Sequence, residues 1–220
     1  MADRPYTLFS MGPAMVAGLM PFPEGAEAHG ARPCWTGYIG VDDVDDCAAR
    51  IKTAGGAVHR SPEDIPGIGR FAVVADPHGA GFIVFKGTSD QAPPAAPPGT
   101  PGHVGWHELQ AGNLDAAFAF YSGLFGWTKA DAMDMGPMGT YQLFAVGGTP
   151  VGGMMTKVPE APSAFWLYYF TVDALEAAMG RVKAGGGQVI HGPTQVPGGS
   201  WIAQCLDPQS AMFALVGSRL

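Results

Sequence analysis

Trp35-Thr-Gly-Tyr-Ile-Gly-Val-Asp42 returns as Trp166-Leu-Tyr-Tyr-Phe-Thr-Val-Asp173, and the match runs on without a gap, 131 residues apart, to Phe85 and Val216. Tyr38/Tyr169, Arg50/Arg181, Lys52/Lys183, Gly55/Gly186, Pro62/Pro193, Pro66/Pro197, Asp76/Asp207, Pro77/Pro208 and Phe82/Phe213 are among the identical pairs, about a third of the stretch. A second match lies upstream at a spacing of 135. Tyr6-Thr-Leu-Phe-Ser-Met-Gly12 followed by Val16-Ala-Gly-Leu-Met20 corresponds to Tyr141-Gln-Leu-Phe-Ala-Val-Gly147 followed by Val151-Gly-Gly-Met-Met155. The chain is therefore an internal duplication. Between the copies, Ala92-Pro-Pro-Ala-Ala-Pro-Pro-Gly-Thr-Pro101 has the prolines of a stiff, extended spacer. Three segments follow: 1–88, a linker over 89–101, and 102–220.

The repeat also decides how the first 28 residues are read. Arg4, the apolar Leu8 to Met20 and Ala26-Glu27-Ala28 imitate a secretory leader, but a pattern that recurs inside the chain reads as a pair of strands. No apolar run reaches the roughly 18–20 residues a membrane-spanning helix needs, so no membrane association is expected.

Within each copy the aromatic, β-branched run Trp166 to Val172 suits a strand. Asp173 is placed to cap a helix with Leu175, Ala178, Met179 and Val182 on one face, stopped by Gly185 to Gly187. Asp42, with Val44, Cys47, Ala48 and Ile51, repeats the design. Strands near Gln188 to His191, Ser200 to Leu206 and Ala211 to Val216 complete a βαβββ unit. Another unit opens the second copy: a strand over His103 to Gln110, a helix capped by Asn113 and ended at Gly126-Trp127, then strands near Thr128 to Met133, Tyr141 to Val146 and Val151 to Met155. The expected class is α+β. Residues 102–220 hold two such modules. The first copy, by the same logic, lacks an opening strand and helix, which leaves an edge and an apolar face to be covered.

Of the 220 residues 47% are hydrophobic, enough for a real core, and 33 Gly and 20 Pro mark many short elements joined by tight turns. A net charge of −7 removes the positive field that nucleic acid or an anionic membrane surface would require. Three cysteines without a C-x-x-C pattern point to a reducing, cytoplasmic setting and no disulfide framework.

Phe120-Tyr121-x-x-Leu124-Phe125-Gly126-Trp127 after a module's helix, and the turns Asp76-Pro77-His78-Gly79 and Asp207-Pro208-Gln209-Ser210 before a module's last strand, complete a pattern that resembles the vicinal oxygen chelate superfamily, the group of glyoxalase I, bleomycin-resistance proteins and extradiol dioxygenases. The resemblance implies curled mixed sheets whose concave face holds a small ligand. In many relatives it also implies a divalent metal, with a ligand seven residues before each helix cap and a Glu seven residues beyond the turn's Asp. Those positions here are Trp106, Trp166, Trp35, Ala214 and Ile83, none of which donates a lone pair to a cation. No metal and no other cofactor is expected. A metal, if one were found, would restore a lyase or dioxygenase reading.

The histidines do not rebuild a metal site. His103 and His107 are about 13 Å apart along a strand, His29 and His78 sit in loops or turns, and His59 and His191 fall out of register between copies. Glu108 alternates with Trp106 and so shares the face that the resemblance places inside the cup. Beside indoles its carboxyl would hold a proton more tightly, and it is the candidate acid–base group or anchor for a cationic ligand. Trp106, Trp166, Tyr168 and Phe170, with Trp35 and Ile39 as first-copy equivalents, are expected on the inner face as ligand walls, or alternatively as filling. Cys47 and Cys205 read as core, and Met133, Met135 and Met138 as loop packing. The Gly runs lack a nucleotide-binding context. The resulting expectation is a metal-independent protein that acts on a small organic molecule, with a non-catalytic sequestering protein, as the bleomycin-resistance likeness implies, as the alternative. A weaker third reading is a copy kept for assembly, and association into a homodimer is expected.

Overall fold

The computed structural model describes residues 5–22, 24–25, 31–89 and 96–220. Ala26 to Ala28, His29 and the linker residues 90–95 lie outside them. Three βαβββ modules are present. The first is β3 (Tyr38–Gly40), α1 (Val44–Thr53), β4 (Ala57–Ile65), β5 (Gly69–Ala75) and β6 (Gly81–Gly87). The second is β7 (Val104–Ala111), α2 (Leu114–Phe125), β8 (Thr128–Asp134), β9 (Thr140–Val146) and β10 (Thr149–Thr156). The third is β11 (Phe165–Ala174), α3 (Leu175–Ala184), β12 (Gln188–Gln195), β13 (Trp201–Leu206) and β14 (Met212–Ser218). Ahead of them, β1 (Thr7–Met11) and β2 (Ala14–Leu19) form the hairpin that the upstream repeat predicts.

In every module the first strand lies parallel to the last, and the other three run antiparallel, giving the orders β3-β6-β5-β4, β7-β10-β9-β8 and β11-β14-β13-β12. These are the mixed α+β sheets expected of the sequence. No helix among the described residues is long and apolar enough to cross a membrane.

The caps explain where the helices begin. Asn113 accepts the backbone N–H of Ala116 at 2.9 Å, and Gly126, at φ 70°, ends α2 in the left-handed region that a side chain would strain. In the first module the cap is Asp43, which accepts from Asp46 N at 2.9 Å, one residue later than the Asp42 that the sequence suggests. In the third module β11 runs through Asp173, and Ala174 takes the cap position without a side-chain bond. Both helices thus start one residue beyond the expected point, so a count back from the cap assigns each residue of the preceding strand to the opposite face.

The described residues gather into two compact units, each drawing on both copies. One holds residues of 5–35 and 96–105 with 168–220, the other 36–89 with 106–167. In the first, Leu175 and Ala178 of α3 bury against Ala203, Cys205 and Leu215 of the sheet, with Phe170, Val172 and Phe213 packed on them. Its hairpin leaves Leu8, Phe9, Met11, Met15 and Leu19 exposed. In the second, Val44, Cys47, Ala48 and Ile51 of α1 are buried, as are Ala117, Phe118, Phe120 and Tyr121 of α2. The two helices meet where Arg50 donates to the carbonyls of Gly123 and Leu124, each at 3.2 Å, at the electronegative C-terminal end of α2. His78 of the Asp76 turn lies so close over Gly112 that a Cβ there would stand 2.5 Å from its ring.

Candidate functional site

On β7 the alternation is clean. Leu109 and Ala111 are fully buried on one face, which places Trp106, Glu108 and Gln110 on the opposite face. There Glu108 is 7% exposed and held by two donors. Gln110 Nε2 donates to its Oε1 at 2.8 Å, and the Tyr141 hydroxyl donates to its Oε2 at 3.1 Å. Tyr141 in turn accepts the indole N–H of Trp106 at 2.8 Å. The result is a continuous chain from indole to phenol to carboxylate.

Sequence-distant glycines make room for it. Gly153 is the β10 partner of Glu108, and a Cβ on it would meet the Tyr141 ring at 2.2 Å. The phenol can lie across β10 toward Glu108 only because this position has no side chain. The upstream hairpin keeps the same device, with the Tyr6 ring over Gly18.

The structure brings Trp106 and Glu108 together, as the sequence suggests, and adds Tyr141 and Gln110, which sequence reasoning missed. The signal was present: Tyr141 belongs to the repeated hairpin, whose other strand carries the Gly152-Gly153 pair, and Gln110 alternates with Glu108. The other aromatic candidates go elsewhere. Trp166, Tyr168 and Phe170 share one face of β11, and it is the face toward the helices, not the inner one expected. Phe170 packs on the α3 cluster. Tyr168 is buried. Trp166 donates its N–H to Tyr121 Oη at 3.0 Å and stands edge-on to that ring at 5.3 Å, beside the stacked pair Trp127 and Phe144 at 4.5 Å. Trp35 meets Phe170 at 4.9 Å and Phe213 at 6.5 Å, with its indole nitrogen buried and without an acceptor. The cause of the correction is the one-residue shift in the caps of α1 and α3. Counting seven back from Asp43 and Ala174 gives Thr36 and Leu167 instead of Trp35 and Trp166.

Tyr121 extends a second chain, with its hydroxyl 3.4 Å from Asp76 Oδ2, while Asp76 Oδ1 accepts the backbone N–H groups of His78 and Ala80 at 2.8 and 2.9 Å. The histidine on the buried face of β7, His107, uses Nδ1–H to donate to Val151 O at 3.0 Å, and burial pushes its pKa down. Cys47 and Cys205 are core thiols, the latter raised to about 11 by burial.

The fold's metal positions fail on donor chemistry. The indole nitrogens of Trp106 and Trp166 carry hydrogens already donated to Tyr141 and Tyr121, Leu167, Ala214 and Ile83 have no donor atom, and Thr36 offers one neutral hydroxyl. No group of three or more His, Cys, Asp or Glu among the described residues is placed to hold an ion.

Comparison with known proteins fits this geometry to a lineage. The family described as Glyoxalase/Bleomycin resistance protein/Dioxygenase superfamily matches residues 5–84 and 100–215, once for each copy. The chain belongs to this superfamily. Among its relatives, the Anthracycline biosynthesis protein DnrV of Streptomyces peucetius is 36% identical over 226 residues, covering 97% of this chain and 80% of that protein. Solved structures of the same fold include the Mn(II)-bound glyoxalase from Novosphingobium aromaticivorans, at 18% identity and a TM-score of 0.56, covering 83% of this chain and 62% of that one. The homoprotocatechuate 2,3-dioxygenase of B. fuscum aligns at 15% identity and a TM-score of 0.59, covering 86% and 56%. The chain thus spans less than two thirds of those two solved chains, and at these identities the likeness is one of fold.

Proposed function

We propose that this glyoxalase-superfamily protein binds a small organic molecule on the face of β7 that carries Trp106, Glu108 and Gln110, and that it does so without a metal of the fold's usual kind. The observation that carries the reading is the buried Glu108 carboxylate, fixed from both sides by Tyr141 and Gln110. Leaving a carboxylate inside a sheet face costs stability unless it is hydrogen-bonded. Here a built network offsets that cost and holds one oxygen pair in a defined direction. Trp106 lies beside it as an aromatic wall.

In a catalytic form of this reading Glu108 takes a proton from the bound molecule or returns one, and Tyr141 follows the charge by its hydrogen bond. In the alternative form the protein sequesters the molecule unchanged. The fully bonded state of Glu108 favours that second form, since a carboxylate already accepting two hydrogen bonds is a fixed anchor before it is a free base. The Streptomyces relative is named as an anthracycline biosynthesis protein, which supports an aromatic organic ligand here.

A thermal-shift screen of small aromatics with wild-type protein and Glu108→Gln tests the reading. Ligand-dependent stabilisation in the wild type is the expected result. A turnover lost with affinity kept in the variant selects catalysis, and no shift with any compound overturns the proposal. Elemental analysis of the purified protein is its companion: one tightly held Zn, Fe, Mn or Ni per chain would overturn the metal-free part.

A further inference from the structure

The two copies of the repeated hairpin carry matching residues that meet opposite fates. Tyr141, Phe144 and Met154 are buried, at 8%, 1% and 0% exposure. Their counterparts 135 residues earlier, Tyr6, Phe9 and Leu19, are 52%, 46% and 55% exposed. The later hairpin has β7 along β10 and β8 along β9, and Leu114 at the start of α2 donates its backbone N–H to Thr156 Oγ1 of β10 at 3.2 Å. Among the described residues, β1 and β2 pair only with each other, and a two-stranded hairpin alone is marginal in water. The covering elements β7, α2 and β8 all come from residues 103–140, a stretch with no match in the first copy.

A second group of residues points to the same cover. Around Tyr121 of α2 stands a receptor of three parts: Trp166 donates its indole N–H to the hydroxyl at 3.0 Å, Asp76 Oδ2 lies 3.4 Å from it, and Phe82 meets the ring at 5.6 Å. All three parts recur at the spacing of the repeat, as Trp35, Asp207 and Phe213. Asp207 keeps the same turn, its Oδ1 accepting Gln209 N and Ala211 N at 2.8 and 2.9 Å. Phe213 keeps its ring, now 6.5 Å from that of Trp35. The tyrosine has no counterpart, and the Trp35 indole nitrogen is buried without an acceptor, a state that burial penalises.

We propose that the unit holding the β1–β2 hairpin and Trp35 is a docking site for a partner polypeptide segment of the kind residues 103–140 form, a strand followed by an amphipathic helix with a tyrosine on its apolar side. The strand pairs along the open edge of β2 as β7 does along β10. The helix covers Phe9 and Leu19, and the tyrosine hydroxyl accepts from Trp35 and donates to Asp207. A second copy of this chain is a poor occupant, because its own segment is committed, with Tyr121 fully buried.

A synthetic peptide of residues 103–140, added in excess to the intact chain, tests the proposal through amide exchange of residues 7–19 and the indole N–H resonance of Trp35. The hairpin amides are expected to slow by about a hundred-fold or more, and the Trp35 resonance to move downfield as it gains an acceptor. Tyr121→Phe in the peptide should give back about ten-fold of that slowing and leave the Trp35 resonance where it was. Equal slowing by both peptides overturns the tyrosine recognition. Amides that stay fast, both with the free peptide and with the same segment joined directly ahead of Tyr6, overturn the docking site. Amides already slow in the chain alone, in step with a dimer in sedimentation, overturn it too, because a second copy then covers the hairpin.

Discussion

The same chain is built twice in the unit that holds α1 and α2, and the two versions end differently. Trp166 donates to Tyr121, whose hydroxyl approaches Asp76; Trp106 donates to Tyr141, which donates to Glu108. The residue types are equivalent and both carboxylates are buried, Asp76 at 2% exposure and Glu108 at 7%. What separates them is the other oxygen. Asp76 uses it to accept two backbone N–H groups of its own turn, so it is a structural bracket that fixes the Asp-Pro-His-Gly corner. Glu108 gives its other oxygen to a side chain, Gln110. Burial of a carboxylate does not by itself distinguish architecture from function; the identity of its donors does.

This contrast orders the effects of mutation. Asp76→Ala strands the backbone N–H groups of His78 and Ala80 and empties the end of the Tyr121 chain, and should cost about 3 kcal/mol or more in urea denaturation. Tyr121→Phe keeps the ring in its stack with Trp127 but leaves the buried Trp166 N–H without an acceptor, with an expected loss of about 1–3 kcal/mol. Tyr141→Phe makes the matching change in the other chain, yet Trp106 is only half-buried and can turn its N–H to water, so about 1 kcal/mol is expected. A loss at Tyr141 equal to or larger than that at Tyr121 would break the distinction between bracket and site. Glu108→Gln is the smallest of the four in stability, within about 1 kcal/mol, because the amide refills the volume and keeps an acceptor for Gln110.

The modules were legible in the sequence because the repeat, the Asn113 cap and the Gly126 stop each report a local requirement of the backbone. The Glu108 face was legible in part, since strict alternation from Trp106 needs only a correct strand. The aromatic residues of β11 were misplaced for a physical reason. Asp173 is a good cap by type, but β11 continues through it to the cap at Ala174, so a count back from the true cap starts one residue later and assigns each preceding side chain to the opposite face. Tyr141 and Tyr121 were harder, because each acts over more than thirty residues of separation, at Glu108 and at Asp76. For Tyr141 one local trace was a glycine: its ring needs Gly153, and nothing in strand propensity asks for a glycine there.

The helix-facing side of β7 supplies a further, smaller effect that belongs to architecture alone. His107 lies on the Leu109 side of the strand and donates from Nδ1 to Val151 O, which binds β7 to β10. Burial holds its pKa below the ordinary histidine value, and the bond to Val151 opposes that shift only in part. The unfolded chain therefore takes up a proton at this residue at a pH where the folded one still refuses it. Its contribution to stability is present above the ordinary value, about 6.5, and fades as pH falls toward the depressed one. Carboxylates titrate across an overlapping range, so a single pH profile would not isolate the effect. The difference between wild type and His107→Gln does, because the glutamine can donate to Val151 but carries no titrating group. The advantage of wild type over the variant in urea denaturation should be larger at pH 8 than at pH 5. A difference that stays constant across that range would mean that His107 is no more desolvated than the residues on the open face, and the two sides of β7 would then be chemically alike.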